Sequence, residues 1–175
     1  MIGEVRDLDT MQNAINFAET GHLCLATLHA NNTNQAIERV INFFPEEKRT
    51  QVLMNLSLNL KAVLSQRLVS NLQHTRSVAV EIMINTGQIR ELILEGNIKA
   101  IRDQVERGTS SGMQIFEQAL LEMYGKHIIS EEVALAEADS PANLRLAMRQ
   151  QSINRFNTIS EIHISTPEVR DKIQF

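Results

Sequence analysis

The sequence has 175 residues, of which 43% are hydrophobic and 22% charged, and it carries a formal net charge of −4. This composition is typical of a globular chain with a single core, and it excludes wholesale disorder. No apolar run approaches the roughly 18 residues of a membrane span, and no Lys and Arg cluster provides the counterion release of nucleic-acid binding. We therefore expect a cytoplasmic chain that neither inserts into a membrane nor binds nucleic acid.

The first 45 residues predict a helix, a strand and a second helix. Asp9 and Gly21 are typical of the start and end of the first helix. Residues 22–29 are nearly all apolar without alternation, which favours a parallel strand buried on both faces over the rival buried helix. Cys24 would then be a small buried hydrophobic residue. Asn32 or Thr33 can cap the next helix, and the whole alternation is that of an α/β fold.

The rest of the chain is predicted to be mostly helical. A long helix is expected from Glu46 to about Leu68, followed by a partly exposed strand over residues 78–84. Helical spacing and caps predict further helices at 87–95, 97–107, 113–124, 131–138 and 141–150. We thus predict an α/β part over residues 1–86, a helical bundle over 87–150, and a polar, weakly ordered tail over 151–175.

Two residues that suit hydrolysis are expected at neighbouring strand ends. Residues 1 and 2 are all that remains for a strand before the first helix, which places Glu4 at its carboxyl end and His29 at the end of the next strand. Open α/β sheets bind their ligands at this edge. A carboxylate can orient an attacking water, and an imidazole can stabilise a phosphate oxygen. The alternative for Glu4 alone is a surface residue that precedes a helix by chance.

Several segments resemble one family, the secretion and type IV pilus ATPases. Residues 2–7, Ile-Gly-Glu-Val-Arg-Asp, are similar to its Walker B segment, and residues 20–29 are similar to its His box. Further similar segments follow in the family's order and spacing at residues 43–47, 56–58 and 65–68. Residues 29–36 are more similar to the PilU branch of the pilus retraction motors than to the PilT branch. The resemblance covers about residues 1–145.

This resemblance implies a RecA-like P-loop ATPase core that forms a hexameric motor and retracts type IV pili at the cytoplasmic face of the inner membrane. The implied cofactors of the full-length motor are ATP and Mg²⁺. The implied partners are further copies or a PilT-like motor, together with the inner-membrane pilus platform protein.

The same resemblance assigns roles to individual residues. Glu4 would be the catalytic base or water-positioning carboxylate, and His22 and His29 would couple the γ-phosphate to neighbouring elements. Arg6 and Asp7 match the family as further nucleotide-linked residues. Residues 88–93 resemble the Ala-Ile-Arg-Asn-Leu-Ile segment of the retraction motors, although Gln88 replaces its alanine. The matching residues of this retraction-motif helix are Ile89, Arg90, Leu92 and Ile93.

One motif that the family requires is absent from the sequence. No Gly-x-x-x-x-Gly-Lys-Ser/Thr occurs, and the only Gly-Lys pair, Gly125-Lys126, is followed by His127. Without this loop no backbone nest surrounds the phosphates and no hydroxyl holds Mg²⁺. We expect the C-terminal half of such an ATPase, which alone neither binds ATP tightly nor hydrolyses it. The alternative is a non-enzymatic module that docks on a partner motor or on the platform protein. No metal site is expected, since His22 and His29 would lie on opposite strand faces.

Overall fold

The computed structural model describes the backbone of residues 1–164 and the side chains of residues 1–153. The helices are α1 Leu8–Glu19, α2 Thr33–Asn42, α3 Arg49–Asn59, α4 Gly87–Leu94, α5 Ile101–Arg107, α6 Phe116–Gly125, α7 Glu131–Glu137 and α8 Pro141–Ile164. The strands β1 Ala62–Ser70 and β2 Arg76–Ile84 form an antiparallel hairpin. Short 3₁₀ turns are found at Glu46–Lys48, Ile98–Ala100 and Gly108–Ser111. No helix among the described residues is long and apolar enough to cross a membrane.

The helices that were predicted from caps and spacing are present, with shifts at their ends. Asp7 rather than Asp9 caps α1, because its side chain accepts a hydrogen bond from the Thr10 N–H at 2.8 Å. Asn32 caps α2 in the same way through the Gln35 N–H at 3.0 Å. The last helix begins at Pro141 as predicted but continues to Ile164, past the predicted end at residue 150. The prediction of a polar tail falls partly on residues 165–175, which lie outside the described residues.

The prediction of a strand at residues 22–29 that is buried on both faces is wrong. Leu23 is 79% exposed and Leu25 is 58% exposed, and Cys24 is half-buried rather than part of the core. The segment pairs on one side only, through a parallel bridge between Ile2 and Ala26. An apolar run is buried only where neighbours cover both faces, and the described residues supply no such cover here.

The predicted helix from Glu46 to Leu68 is also wrong, because the chain leaves the helix after Asn59. The Asn85 side-chain amide donates hydrogen bonds to the carbonyls of Ser57 at 2.9 Å and of Leu60 at 2.8 Å, which satisfies the end of α3. The following residues form β1 and pair with β2 from Ala62 opposite Ile84 to Ser70 opposite Arg76. Leu64 and Leu68 of β1 are 63% and 59% exposed on the outer face of the hairpin.

Two apolar clusters fill the structure, and the hairpin contributes to both. The first lies among α1–α5 and includes Met83 of β2, and the second lies among α6–α8 and includes Ala79 of the same strand. The predicted boundary at residue 86 falls within the first cluster, since Ile89 and Ile93 of α4 belong to it. The inward face of β2 also carries Glu81, which is only 3% exposed. A charged side chain is therefore held between two apolar clusters.

Candidate functional site

The structure brings Glu4 and His29 together, as the strand-end argument predicts. The Nε2 atom of His29 lies 3.0 Å from the Oε1 atom of Glu4. The other carboxylate oxygen, Oε2, accepts a hydrogen bond from the Arg6 guanidinium. The Glu4 side chain is 25% exposed and that of His29 is 80% exposed. Glu4 is thus a carboxylate held between two cationic or hydrogen-bonding partners, with part of its surface open to solvent.

Short backbone contacts hold Glu4 in this position. The Ile2 N–H donates to the Leu25 carbonyl at 2.8 Å, and the Val5 N–H donates to the Thr27 carbonyl at 2.8 Å. The Thr27 hydroxyl donates to the carbonyl of Gly3. Val5 itself is buried, so its side chain anchors the segment while Glu4 on the opposite side remains accessible.

The electrostatics of the site keep Glu4 ionised. The hydrogen bond from Arg6 has the largest effect on the Glu4 carboxyl and lowers its pKa, while desolvation acts in the opposite direction. The charges of Arg6, His29 and Arg39 lower this pKa further. Glu4 is consequently a deprotonated group at neutral pH, as a proton acceptor must be.

The other two nucleotide-linked candidates of the N-terminal segment have clear local roles. Arg6 is exposed, and its pKa is raised mainly by its hydrogen bond to Glu4. The Asp7 side chain caps α1, and the hydrogen bond from the Thr10 backbone is the main reason why the pKa of Asp7 is lowered. Asp7 therefore fixes the point at which the segment carrying Glu4 enters a helix.

His22 does not contact Glu4 or His29. Its Nδ1 atom lies 3.0 Å from the Thr20 hydroxyl, and its ring meets the ring of Phe17 edge-on, with centroids 6.2 Å apart. These contacts place His22 at the turn after α1. The contacts of His22 are therefore with residues of the first helix and its end, Phe17 and Thr20.

The residues of the retraction-motif helix divide between core and surface. Ile89 and Ile93 are fully buried in the first apolar cluster, and Leu92 packs against that cluster. Arg90 is exposed. The side chain of Gln88, which stands where the family motif has alanine, is hydrogen-bonded to Gln104 of α5. Among the four matching motif residues, Arg90 is thus the one whose side chain is exposed.

Sequence reasoning missed one residue of the site, Arg39 of α2. Its Nη1 atom donates a hydrogen bond to the His29 carbonyl at 3.0 Å, and its guanidinium lies 6.0 Å from the centre of the Phe43 ring. Arg39 also lines a shallow depression of about 280 Å³ beside His29. A helical residue ten positions after His29 has no spacing that singles it out, so only the folded structure reveals this contact.

The residues of this chain do not by themselves fit a nucleotide with its metal ion. No phosphate-binding loop occurs in the sequence, and Lys126, which follows the glycine of the only Gly-Lys pair, is paired with Glu122 on the same helix. Among the residues whose side chains are described, no cluster of three acidic, histidine or cysteine groups could hold a metal ion. What the chain does offer is a solvent-accessible carboxylate, Glu4, in contact with an imidazole, His29.

Comparison with known proteins identifies the class of this fold. The family model of the "Type II/IV secretion system protein" matches residues 1–169. The type IV pilus ATPase PilU of Pseudomonas aeruginosa is 47% identical over 163 residues, which cover 93% of this chain and 43% of PilU. The type IV pilus retraction ATPase PilT of the same organism is 39% identical over 143 residues, which cover 82% of this chain and 42% of PilT.

A solved structure supports the same class. The crystal structure of the pilus retraction motor PilT with bound ADP aligns with a TM-score of 0.74 and 34% identity, over 82% of this chain and 40% of that chain. The fold is therefore the RecA-like fold of the secretion ATPases. The chain belongs to the type II/IV secretion system protein family, and the predicted resemblance to PilU and PilT is confirmed. It spans about two-fifths of the length of these relatives.

Proposed function

We propose that this chain supplies the water-activating side of the nucleotide site in a type IV pilus retraction ATPase. The observation that carries the proposal is the ionised Glu4 carboxylate, which lies 3.0 Å from His29 Nε2 and keeps a solvent-accessible face. A carboxylate in this state can orient a water molecule and accept its proton. Glu4 is the proposed base.

The neighbouring residues have supporting roles in this proposal. Arg6 holds one carboxylate oxygen of Glu4, so it keeps the group charged and limits its rotation. His29 holds the other oxygen and couples the γ-phosphate to the loop that follows it. His22 is the second proposed coupling residue. It lies at the turn after α1 and does not contact Glu4, so its proposed role is separate from that of His29. ATP with Mg²⁺ supplies the phosphoryl group that is transferred to water.

The proposal extends to the assembly and location of the protein, and its support is the family resemblance. We propose a hexameric motor at the cytoplasmic face of the inner membrane, because the matched relatives are named as a type IV pilus ATPase and a retraction ATPase. The exposed Arg90 on α4 is the proposed contact of the retraction-motif helix with the pilus platform protein or a partner motor. Ile89, Leu92 and Ile93 support that contact from within by fixing α4 to the first apolar cluster.

The role of Glu4 is tested in a chimaera in which this chain replaces the segment that it matches in P. aeruginosa PilU. We expect Glu4→Gln to retain ATP binding while hydrolysis falls about 10²-fold or more, since the amide keeps the shape but cannot accept a proton. Glu47→Gln, which removes an exposed carboxylate before α3, is the control and leaves hydrolysis unchanged. Unchanged turnover in Glu4→Gln would show that Glu4 is not the base.

The chain by itself is expected neither to bind ATP with Mg²⁺ tightly nor to hydrolyse it, because its sequence contains no phosphate-binding loop. Isothermal titration calorimetry with ATP and Mg²⁺ measures this directly. Micromolar binding with 1:1 stoichiometry would contradict the proposal that another segment supplies the phosphate contacts.

A further inference from the structure

The loop of residues 29–33, which carries His29 and leads into α2, is held by side chains from distant parts of the chain. The Asn31 carbonyl accepts a hydrogen bond from Arg67 Nη2 at 3.1 Å, across 36 residues of sequence. The Asn32 side chain donates to Asp139 Oδ2 at 3.3 Å, across 107 residues. The Thr33 N–H donates to the buried Glu81 carboxylate at 2.6 Å. Each of three consecutive residues is thus fastened to a different element.

Arg67 is the centre of this arrangement. Its guanidinium donates to Asp139 Oδ1 at 2.5 Å and to the Glu137 carbonyl at 2.6 Å, in addition to Asn31. It also lies 4.0 Å above the centre of the Phe116 ring of α6. The side chain is only 18% exposed. A planar fork that makes three separate hydrogen bonds and a stacking contact cannot be replaced by the single ammonium group of lysine.

Asp139, between α7 and α8, joins Arg67 to a second arginine. Its Oδ2 atom accepts from Arg102 Nη1 at 3.2 Å, and Arg102 Nη2 lies 2.7 Å from a Glu117 oxygen. The other Glu117 oxygen accepts from the Ser140 N–H at 2.8 Å. Burial acts to lower the pKa of Arg102, but the hydrogen bond to Glu117 and the surrounding carboxylates outweigh it and raise this pKa. The charges of this network therefore compensate one another.

We infer that Arg67 and Asp139 are positioning residues that fasten the loop 29–33 to the helices α6–α8 and thereby set where His29 meets Glu4. His29 is 80% exposed, so its own packing cannot fix its place. Its contacts are those with Glu4 and, through its carbonyl, with Arg39. Besides its contacts with Arg39 of α2 and Glu81 of β2, the loop is held from the α6–α8 side through Arg67 and Asp139, so a shift of these helices is transmitted to the imidazole. The catalytic meaning of this positioning rests on the proposed function, whereas the test below uses no nucleotide.

The test is an NMR measurement on this chain with Asp139→Asn, a nearly isosteric change that removes the charge and one acceptor oxygen. We expect amide hydrogen exchange of Asn31 and Thr33 to become faster by about tenfold or more, as the loss of hydrogen bonds to charged groups implies. The imidazole ¹⁵N signals of His29, measured at one pH, should move in the direction that they take in Glu4→Gln. The control is Glu122→Gln, which breaks an exposed ion pair on α6 and should change neither.

A second variant separates positioning from general stability. Arg67→Lys keeps the positive charge but should behave like Asp139→Asn, because lysine cannot reach the three acceptors at once. Exchange in the first cluster is followed at Val52 and Leu56 of α3. Faster exchange that is confined to the loop supports the inference. A uniform increase in the loop and α3, or an unchanged loop in both variants, overturns it.

The result also distinguishes this inference from the proposed function. If Glu4→Gln leaves the His29 signals unchanged, the Glu4–His29 contact is not formed in solution, and the proposed site fails. The positioning role of Arg67 and Asp139 is then judged on the amide exchange of Asn31 and Thr33 alone. In the opposite case, Asp139→Asn and Arg67→Lys leave the amide exchange of the loop and the His29 imidazole signals at their wild-type values, while Glu4→Gln shifts the His29 signals. The proposed site then stands and the inference is overturned.

Discussion

The Glu4 carboxylate illustrates how one neighbouring side chain sets the charge of a candidate base. Arg6 donates a hydrogen bond to it, which is the main reason why the pKa of Glu4 is lowered in the folded chain. A carboxyl group whose pKa is lower in the folded than in the unfolded state stabilises the fold above its unfolded pKa. This contribution is lost as the pH falls through the folded value. The Glu4 contact is therefore fully present at neutral pH and disappears in acid.

We predict that Arg6→Ala raises the pKa of Glu4 toward its ordinary value of 4.5, because the largest lowering influence is removed. Carboxyl ¹³C NMR titration of this chain measures the change. Arg107→Ala, which removes an exposed arginine at the end of α5, is the control and leaves the titration of Glu4 as it is. An identical Glu4 titration curve in Arg6→Ala and the unmodified chain would mean that Arg6 does not hold this carboxylate in solution.

At the scale of single elements, the start of α2 combines a helix cap with a tertiary contact. The Asn32 side chain accepts from the Gln35 N–H with its oxygen and donates to Asp139 with its nitrogen. Asparagine and aspartate are equally good caps in general. At position 32 the two residues should differ in the stability that they give, since aspartate would place a second carboxylate oxygen against the Asp139 carboxylate.

We predict that Asn32→Ala lowers the free energy of unfolding by about 1 kcal/mol, the usual value of a lost cap. Asn32→Asp should be no better than alanine because of the repulsion from Asp139. At the start of α7, where Ser130 caps through the Val133 N–H, Ser130→Asp should be tolerated. Urea unfolding gives the comparison. A fully stable Asn32→Asp variant would argue against the contact with Asp139.

Gly112 controls how the chain returns to the hairpin after α5. It has φ of +80°, and two residues later Gln114 exchanges backbone hydrogen bonds with Ile82 of β2, at 2.8 and 3.0 Å. We predict that Gly112→Ala destabilises the fold by about 1–2 kcal/mol, the cost of a left-handed conformation for a residue with a Cβ atom.

The control for this change is Gly87→Ala, at the first residue of α4, where an added Cβ meets nothing within 4 Å and φ is not positive. It should be neutral or stabilise the fold by up to about 1 kcal/mol through the unfolded state. Thermal and urea unfolding measure both variants. Equal effects of the two substitutions would show that the conformation of Gly112 carries no special cost.

The success of sequence reasoning differed between elements for physical reasons. The caps of α1 and α2 are local, so Asp or Asn before a helical pattern locates these helices within two residues. The end of α3 is set by Asn85, which lies 28 residues after Ser57 and 25 residues after Leu60. No local pattern in the sequence predicts this helix end. Val63 and Leu64 fit both a helical and a strand spacing, and pairing with β2 decides between them.

At the scale of the whole molecule, the segment 22–29 leaves apolar side chains in solvent. We predict that the double variant Leu23→Lys, Leu25→Lys raises the solubility of this chain without lowering its stability, because both side chains are exposed and bury little apolar area. Charges beside an unpaired backbone edge also oppose edge-to-edge association. Static light scattering over a concentration series measures the effect.

The matched control is Leu146→Lys on α8, since Leu146 is 58% exposed, the same fraction as Leu25, but belongs to a helix whose backbone groups are bonded internally. It should change association much less. Equal gains from both variants would assign the association to apolar exposure alone and not to the edge of residues 22–29.

The candidate site was only partly predictable, because its members differ in how far apart they lie in sequence. Glu4 and His29 were found because neighbouring parallel segments bring their ends together. Three further residues were not found: Arg39, Arg67 and Asp139. Both arginines donate to backbone carbonyls, and Asp139 accepts from Arg67. A sequence motif does not reveal such contacts, because any residue can supply the carbonyl. Glu81 lies within an apolar stretch of the sequence, and only the fold shows that its side chain faces inward.

The hydrogen bond between Asn32 and Asp139 has a consequence for the order of events during synthesis. The ribosome adds 107 residues between these two positions, which takes roughly 5 to 20 s at ordinary translation speeds. Throughout this time the helices α1 and α2 can form from local signals, while the segment between them has no Asp139 to contact. During synthesis, His29 is therefore made well before Asp139, the residue that completes the surroundings of its loop.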